Sequence, residues 1–265
     1  MNIFVCIKQV PETSQSVKID PEGTAISLDG LEFVINPFDE YAIEEALRIK
    51  ERFHEGKVTL VTMGPERCQK ALRSGLAMGA DDAVQLSDPL FDGSDPLTTA
   101  RILAAFLKTQ EFGLVLAGKQ AVDDDSSMVP QALAEYLGVP HVCTVKKLEL
   151  ADDKKSATAH REIDGGTEVV TCRLPAVFSA EKGLNEPRYE SLKGKMAAKK
   201  KQIRSVSAAE LGLDPAKVGP RAATVKVCKL SYPEVKQGGV RMIEGDLAGQ
   251  VAETTKILRE GLKVI

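Results

Sequence analysis

The sequence lacks the features that mark several common protein classes. No apolar run approaches the ~20 residues of a membrane span, which argues against direct membrane insertion. Met1 opens straight into Ile3-Phe4-Val5-Cys6-Ile7, without the charged flank and long apolar core of a secretory signal. A cytoplasmic location is expected. Charge of one sign is missing too: 35 basic and 38 acidic residues leave a formal net charge of -3, so the overall balance calls for neither nucleic acid nor a membrane surface. Cys6, Cys68, Cys143, Cys172 and Cys228 form no C-x-x-C pair, and His54, His141 and His160 have no H-x-x-x-H spacing. Reduced core thiols fit this pattern better than disulfides or a metal site. The turn after the first apolar run has no G-x-G-x-x-G, no G-x-x-x-x-G-K-[ST] and no Ser-Gly-Gly-rich loop. That disfavours a Rossmann dehydrogenase, a P-loop NTPase and an adenylating enzyme.

What is present is an alternation. Apolar runs at 3–7, 58–63, 83–86 and 112–117 read as buried strands, and amphipathic stretches at 39–53, 66–78, 95–108 and 128–137 read as helices between or after them. This predicts an α/β fold: a Rossmann-like, mostly parallel sheet with helices on both faces. After Gly138-Val139-Pro140 the period becomes two, over 142–150, 156–163 and 167–174, the last two joined by the turn Asp164-Gly165-Gly166. A β meander is expected there, with 176–180 returning to the parallel sheet. A helix from about Ser191 follows. Residues 205–237, broken by Pro215, Gly219, Pro220 and Pro233, read as an extended C-terminal arm, ending in a helix over 246–262. The division expected is an α/β nucleotide-binding domain at 1–204, and an arm and helix at 205–265 that pack on a partner subunit, a return of the arm to its own domain being the simpler alternative.

The ligand is expected at 114–131, where a strand stops at Gly118 and a polar loop runs into a helix start, because a helix N-terminus offers unpaired N–H groups to anions. Pro130 favours Ser127 over Ser126 as the cap, since proline is tolerated only where its missing N–H needs no partner. Asp123, Asp124 and Asp125 would repel an anion unless they turn elsewhere, and a solvated acidic turn is the plain alternative. Asn36, held out of the helical region by Pro37, is free to face the strand ends, although Asn-Pro is also a routine turn; Asp39 is the expected cap of the next helix. Lys193, Lys195, Lys199, Lys200, Lys201 and Arg204 form one basic cluster beside Leu192. On charge alone it reads as a solvated face; a docking patch for an acidic partner is the functional alternative.

Four motifs in order, Asn36-Pro37-Phe38-Asp39 before a Glu-Glu-Ala helix, Gly118-Lys119-Gln120-Ala121-Val122-Asp123-Asp124-Asp125, Arg161-Glu162-Ile163-Asp164-Gly165-Gly166, and Leu184-Asn185-Glu186-Pro187-Arg188-Tyr189 leading to Lys199-Lys200-Lys201, resemble the β subunit of electron transfer flavoprotein. The resemblance runs from residue 1 to the terminal helix. It implies an electron carrier rather than an enzyme: a heterodimer whose α subunit carries most contacts to FAD, while the β subunit holds AMP, or a second FAD in the bifurcating type. It implies transfer from acyl-CoA dehydrogenases of fatty acid oxidation to a membrane quinone oxidoreductase. On this resemblance the nucleotide pocket maps onto Cys6, Asn36, Pro37, Phe38, Asp39, Met63 and the run from Gly118 through Asp125, Ser126, Ser127 and Met128 to Val129. Partner recognition maps onto Tyr189, Leu192, Lys193, Lys195, Lys199, Lys200 and Lys201, and here the resemblance favours docking over the solvated face.

Two departures stand out. Ser126-Ser127-Met128-Val129-Pro130-Gln131 replaces the Asn-Gln-Thr-Gly-like run of AMP-type relatives, and Thr13 to Ser16 supply no aromatic to approach the flavin. Phe38 and Asp124 nonetheless stand where bifurcating relatives tend to carry Asn-Pro-Asp-Asp and Asp-Gly-Asp-Thr, which favours AMP. Val10-Pro11-Glu12-Thr13 and Met128-Val129-Pro130 lean the other way, toward NADH-dependent bifurcation. A nucleotide-binding regulatory module acting alone is the rival from another class; the basic cluster and the long arm count against it.

Overall fold

The computed structural model describes residues 1–234 and 238–265; the last part of the expected arm, at 235–237, lies outside the described residues. The chain divides into two compact units, Met1–Cys228 and Lys229–Ile265.

In the first unit, β1 (Asn2–Cys6), β4 (Lys57–Met63), β5 (Asp82–Leu86), β6 (Leu114–Gly118), β7 (His141–Leu150), β8 (Ser156–Ile163), β9 (Gly166–Arg173), β10 (Ala176–Ala180) and β11 (Arg204–Val206) form one sheet in the order β11-β5-β4-β1-β6-β10-β7-β8-β9. Pairing is parallel from β11 to β7 and antiparallel through β8 and β9. The expected meander and the return of 176–180 to the parallel sheet are both found. β2 (Gln9–Pro11) and β3 (Phe33–Ile35) make a separate antiparallel pair at the base of the excursion over 17–31.

Alternation along the strands builds two cores. Ile3 and Val5 join Leu114 and Leu116 beneath α1 (Pro37–Phe53) and α2 (Gln69–Met78). Phe4 and Cys6 join Val115 and Ala117 beneath α3 (Pro96–Leu107) and α4 (Val129–Leu137). Each buried Ile, Leu or Phe side chain contributes about 1.5–3 kcal/mol, so both faces need their helices. The chain steps outward from β1 to β4 and β5, then returns to β6 on the other side of β1. The reversal opens a crevice at the carboxyl ends of β1 and β6, where ligands of open α/β sheets sit.

Three expectations are corrected. α1 starts at Pro37 with Asn36 as its cap residue, because proline supplies the first helical φ; Asp39 lies in the first turn. α4 starts at Val129 after Met128, not after Ser127, whose φ of 52° takes it out of cap geometry; Pro130 falls in the first turn, as its missing N–H requires. Residues 205–228 pack on the first unit instead of leaving it as an arm. β11 pairs with β5, Val206, Ala208 and Val218 are buried, and the short helix α6 (Gly219–Ala222) follows.

The second unit carries α7 (Leu247–Lys256), capped by Asp246 through the Gly249 amide at 2.9 Å, and a π-helical turn, Ile257–Gly261. Among the described residues of this unit, none in α7 is buried. Among the described residues no helix is long and apolar enough to cross a membrane.

Candidate functional site

The crevice is a cavity of about 240 Å³. Glycine at 118 is dictated by packing: a Cβ there would stand 2.5 Å from Asp39 Oδ1 and 2.6 Å from Phe38 Cβ. The start of α1 therefore lies directly on the end of β6. Asp39 ties the two strand ends together, accepting the Lys8 amide at 2.6 Å and the Gly118 amide at 2.9 Å. Burial pushes its carboxyl up to about 7, against the pull of the Lys8 amide, Asn36 and the Gly118 amide. Burial, and then the Asp39 charge, push the neighbouring Cys6 thiol up to about 12, so it stays protonated and inert. Asn36 does what its position before proline allows. Its Nδ2 donates to the Gln120 carbonyl at 2.8 Å and its Oδ1 accepts the Val122 amide at 3.1 Å, pinning the loop after β6.

The acidic run is held by contacts within the protein, with Asp124 alone of the three lining the cavity. Lys8 Nζ meets Asp123 Oδ1 at 2.7 Å and Asp124 Oδ2 at 3.0 Å. Asp125 accepts Gln120 Nε2 at 2.6 Å, while Ser127 Oγ donates to Gln120 Oε1 at 2.9 Å. Lys119 is drawn off to the buried Glu181 at 2.6 Å, its ammonium 5.0 Å from the Phe38 ring centre. Against burial, the Ser126 amide and Lys8 hold the Asp124 carboxyl below its ordinary value. One lysine among three carboxylates leaves this loop net negative, and Asp124 itself lines the cavity, so the wall that offers N–H donors is the start of α4. No side chain caps that helix, so its first N–H groups are open to a ligand.

Cys6, Asn36, Asp39, Met63, Gly118, Lys119, Gln120, Ala121, Asp124, Ser126, Ser127, Met128 and Val129 all line the cavity. Pro37, Phe38, Val122, Asp123 and Asp125, also expected there, are not among its lining residues. Ser94, Pro96 and Thr99 at the start of α3, together with Lys8, also line it and were not singled out from sequence. Their one local signal is the Asp95-Pro96 helix start, which says where α3 begins and nothing of what it faces. Among the described residues no group of three or more His, Cys, Asp or Glu is arranged to hold a metal ion.

The second site is the helix α5 (Leu192–Lys200), capped by Ser191 through the Gly194 amide at 2.9 Å. The loop before it is clamped to α1. Asn185 Nδ2 bonds the Tyr41 carbonyl and Glu45, both at 3.0 Å, and Arg188 pairs with Glu44 at 2.7 Å and Glu51 at 2.6 Å. On this fixed base, Tyr189 is 97% exposed, Leu192 78% and Met196 61%. Leu192 and Met196, four apart, share a helix face. Met196 was not marked from sequence. Lys193, Lys199 and Lys200 have no side-chain partner among the described residues. Lys195 pairs with Glu190 at 3.1 Å, and Lys201 is occupied by the Ala80 and Asp81 carbonyls at 2.8 and 2.6 Å.

Comparison with known proteins places this geometry in a family. Residues 24–211 match the model of the electron transfer flavoprotein domain. The chain is 40% identical over 267 residues to the electron transfer flavoprotein subunit beta of Bacillus subtilis, covering 100% of both chains. It is 35% identical to the subunit beta of Sus scrofa, covering 97% of this chain and 99% of that one. It is also 40% identical to the CarD subunit of the caffeyl-CoA reductase–Etf complex of Acetobacterium woodii, covering 95% of each. A match through the sheet and both sites, with full-length relatives in distant organisms, settles the matter: the chain belongs to the electron transfer flavoprotein family, among its β subunits.

Proposed function

We propose that the chain is the AMP-holding half of a heterodimeric electron carrier. Its α subunit makes most of the contacts to FAD, and the carrier takes electrons from acyl-CoA-type flavin dehydrogenases and passes them to a membrane quinone oxidoreductase. The observation that carries the AMP assignment is the uncapped start of α4 facing a cavity whose neighbouring acidic run is held by Lys8 and Gln120. A nucleotide phosphate suits those open N–H groups. Gly118, which lets the start of α1 lie on the end of β6, and Asn36, which pins the loop after it, fix the backbone around the nucleotide. FAD supplies the redox chemistry when bound; the residues of this chain bind and position. The exposed Leu192–Met196 face, flanked by Lys193, Lys199 and Lys200, supports docking on the electron donor, with charge acting mainly on the association rate.

A second reading, a second FAD and hydride from NADH, is favoured by the runs Val10-Pro11-Glu12-Thr13 and Met128-Val129-Pro130, which resemble the bifurcating type. Acid extraction of the purified heterodimer decides between them. One FAD and one AMP are expected, and two FAD with no AMP establish the second reading. For docking, Leu192→Ala, or charge reversal at Lys199 and Lys200, is expected to slow transfer from an acyl-CoA dehydrogenase at unchanged flavin content. Unaltered kinetics at low salt sink that part.

A further inference from the structure

Helix α5 has a second exposed flank besides the Leu192–Met196 face. It packs on α2 so closely that a Cβ at Gly194 would run into the Ala77 carbonyl oxygen, and Ala198 is buried between them. Along this contact the two helices leave an open groove of about 540 Å³. Five cations line it, Arg67, Lys70 and Arg73 from the α2 side and Lys195 and Lys199 from α5, against two carboxylates, Glu66 and Glu190.

We propose that this groove is an electrostatic docking subsite, which receives a carboxylate-bearing segment of the same protein that seats on Leu192 and Met196. The proposal rests on the docking reading given above and adds a second, separable contact to it.

The charges in the groove are largely uncancelled. Arg73 Nη1 donates to the carbonyls of Ala198 and Lys201 at 2.9 and 3.5 Å, which are neutral acceptors. Arg67 donates to Gln9 Oε1 at 2.7 Å and lies 4.2 Å from the Phe33 ring centre, again without a counter-charge. Lys195 is answered by Glu190. Lys70 and Lys199 have no partner among the described residues. In a chain of net charge -3, this is a local excess of the opposite sign. The two guanidinium groups are already held in place, so little side-chain freedom is lost when carboxylates arrive. Arginine is the cation suited to planar carboxylates. The groove shares α5 with the apolar anchor, so a partner seated on Leu192 and Met196 passes over the groove's edge. An acidic surface there gains rate from steering as well as contact.

Lys70→Glu is the test, because Lys70 is exposed and touches nothing the fold needs. In the flavin-loaded heterodimer it is expected to slow electron transfer from an acyl-CoA dehydrogenase about threefold or more at low salt, the gap closing as salt rises. Lys18→Glu, the same change of charge in the excursion over 17–31, is the control and is expected to be silent. A fluorescein-labelled hexaglutamate peptide, followed by anisotropy, is expected to bind the parent heterodimer and lose about tenfold in affinity with Lys70→Glu. If Leu192→Ala slows transfer while Lys70→Glu matches the parent, the groove is overturned and the docking reading stands. If both are silent in transfer, the docking reading falls and takes the groove with it. Displacement of the peptide by inorganic phosphate at matched ionic strength overturns the groove as a protein subsite, making it a small-anion site.

Discussion

Helices α3 and α4 both bring their N-termini to the cavity, and only one is closed by a side chain. At α3, Asp95 Oδ1 accepts the Thr98 amide at 2.8 Å, while Oδ2 accepts the Thr224 amide and hydroxyl at 2.7 and 2.8 Å and the Val225 amide at 3.2 Å. At α4 nothing plays this part, although Ser126 and Ser127 stand beside it. The two ends therefore serve different purposes. The closed end is a joint, pinning residues 224 and 225 just before the first unit ends at Cys228. On the proposed function, the open end keeps its donors for the nucleotide. Any side chain that closed it would compete with the nucleotide for the same N–H groups.

The largest effect should come from opening the joint. Asp95→Ala removes a cap, worth about 1 kcal/mol, and strands the amides of residues 224 and 225, at about 1–3 kcal/mol more. A loss near 3 kcal/mol is expected in urea unfolding of the heterodimer, with easier proteolysis after residue 224. A loss below about 1 kcal/mol would show that other contacts hold the segment. A truncation meant to test whether the second unit clamps the partner should accordingly begin after Cys228, because one at Ser205 also removes β11 and the buried Val206, Ala208 and Val218.

Closing the open end is the converse experiment. Met128→Asp sets a carboxylate where the cap residue of α4 stands. The nucleotide-free protein should gain about 1 kcal/mol, while AMP affinity falls tenfold or more, or about 1.4 kcal/mol, through competition and repulsion together. Full AMP content in the purified variant would move the phosphate away from α4.

These contrasts were unequally legible in the sequence. The strands were readable because parallel strands buried on both faces are continuous apolar runs, and Asn36 because Pro37 restricts it. The neighbour of β1 was not readable. That β6 and not β5 lies beside it is decided by long-range packing, and the same choice brings Ser94, Pro96 and Thr99 into the cavity. The cap at α4 was misplaced because Asp125 and Ser127 adopt φ of 49° and 52°, a conformation that neither residue type announces as glycine would. Lys8, a lone lysine after a strand, gave no sign that it would meet Asp123 and Asp124 more than a hundred residues later. The proposed docking face owed most to resemblance, since charge alone does not separate Lys199 and Lys200 from Lys201, which bonds carbonyls of its own fold.

The smallest effect is a slope, and it separates Asp95 from Asp39, a buried carboxylate that lines the cavity. Against burial, the Thr98 and Thr224 groups hold Asp95 well below its ordinary value. Its contribution to stability is therefore complete at neutral pH and lost as pH falls below the ordinary carboxylate range. Asp39 behaves oppositely. Burial raises it from 3.8 to about 7, so between those values the folded chain keeps a proton the unfolded chain has released, and stability declines as pH rises through that window. From about pH 6 to about pH 8 the decline should be about 1 kcal/mol. Asp39→Asn should abolish this slope while leaving the acid-side loss in place, and Asp95→Asn should do the reverse. Absolute stability is a poor measure for the first variant, because an amide offers a single acceptor oxygen to the Lys8 and Gly118 amides, and one stranded N–H costs about 1–3 kcal/mol. The slope does not depend on that offset. Urea midpoints of Asp39→Asn that run parallel to the parent across this range would mean that Asp39 is already ionised there, and that its two amide donors outweigh burial.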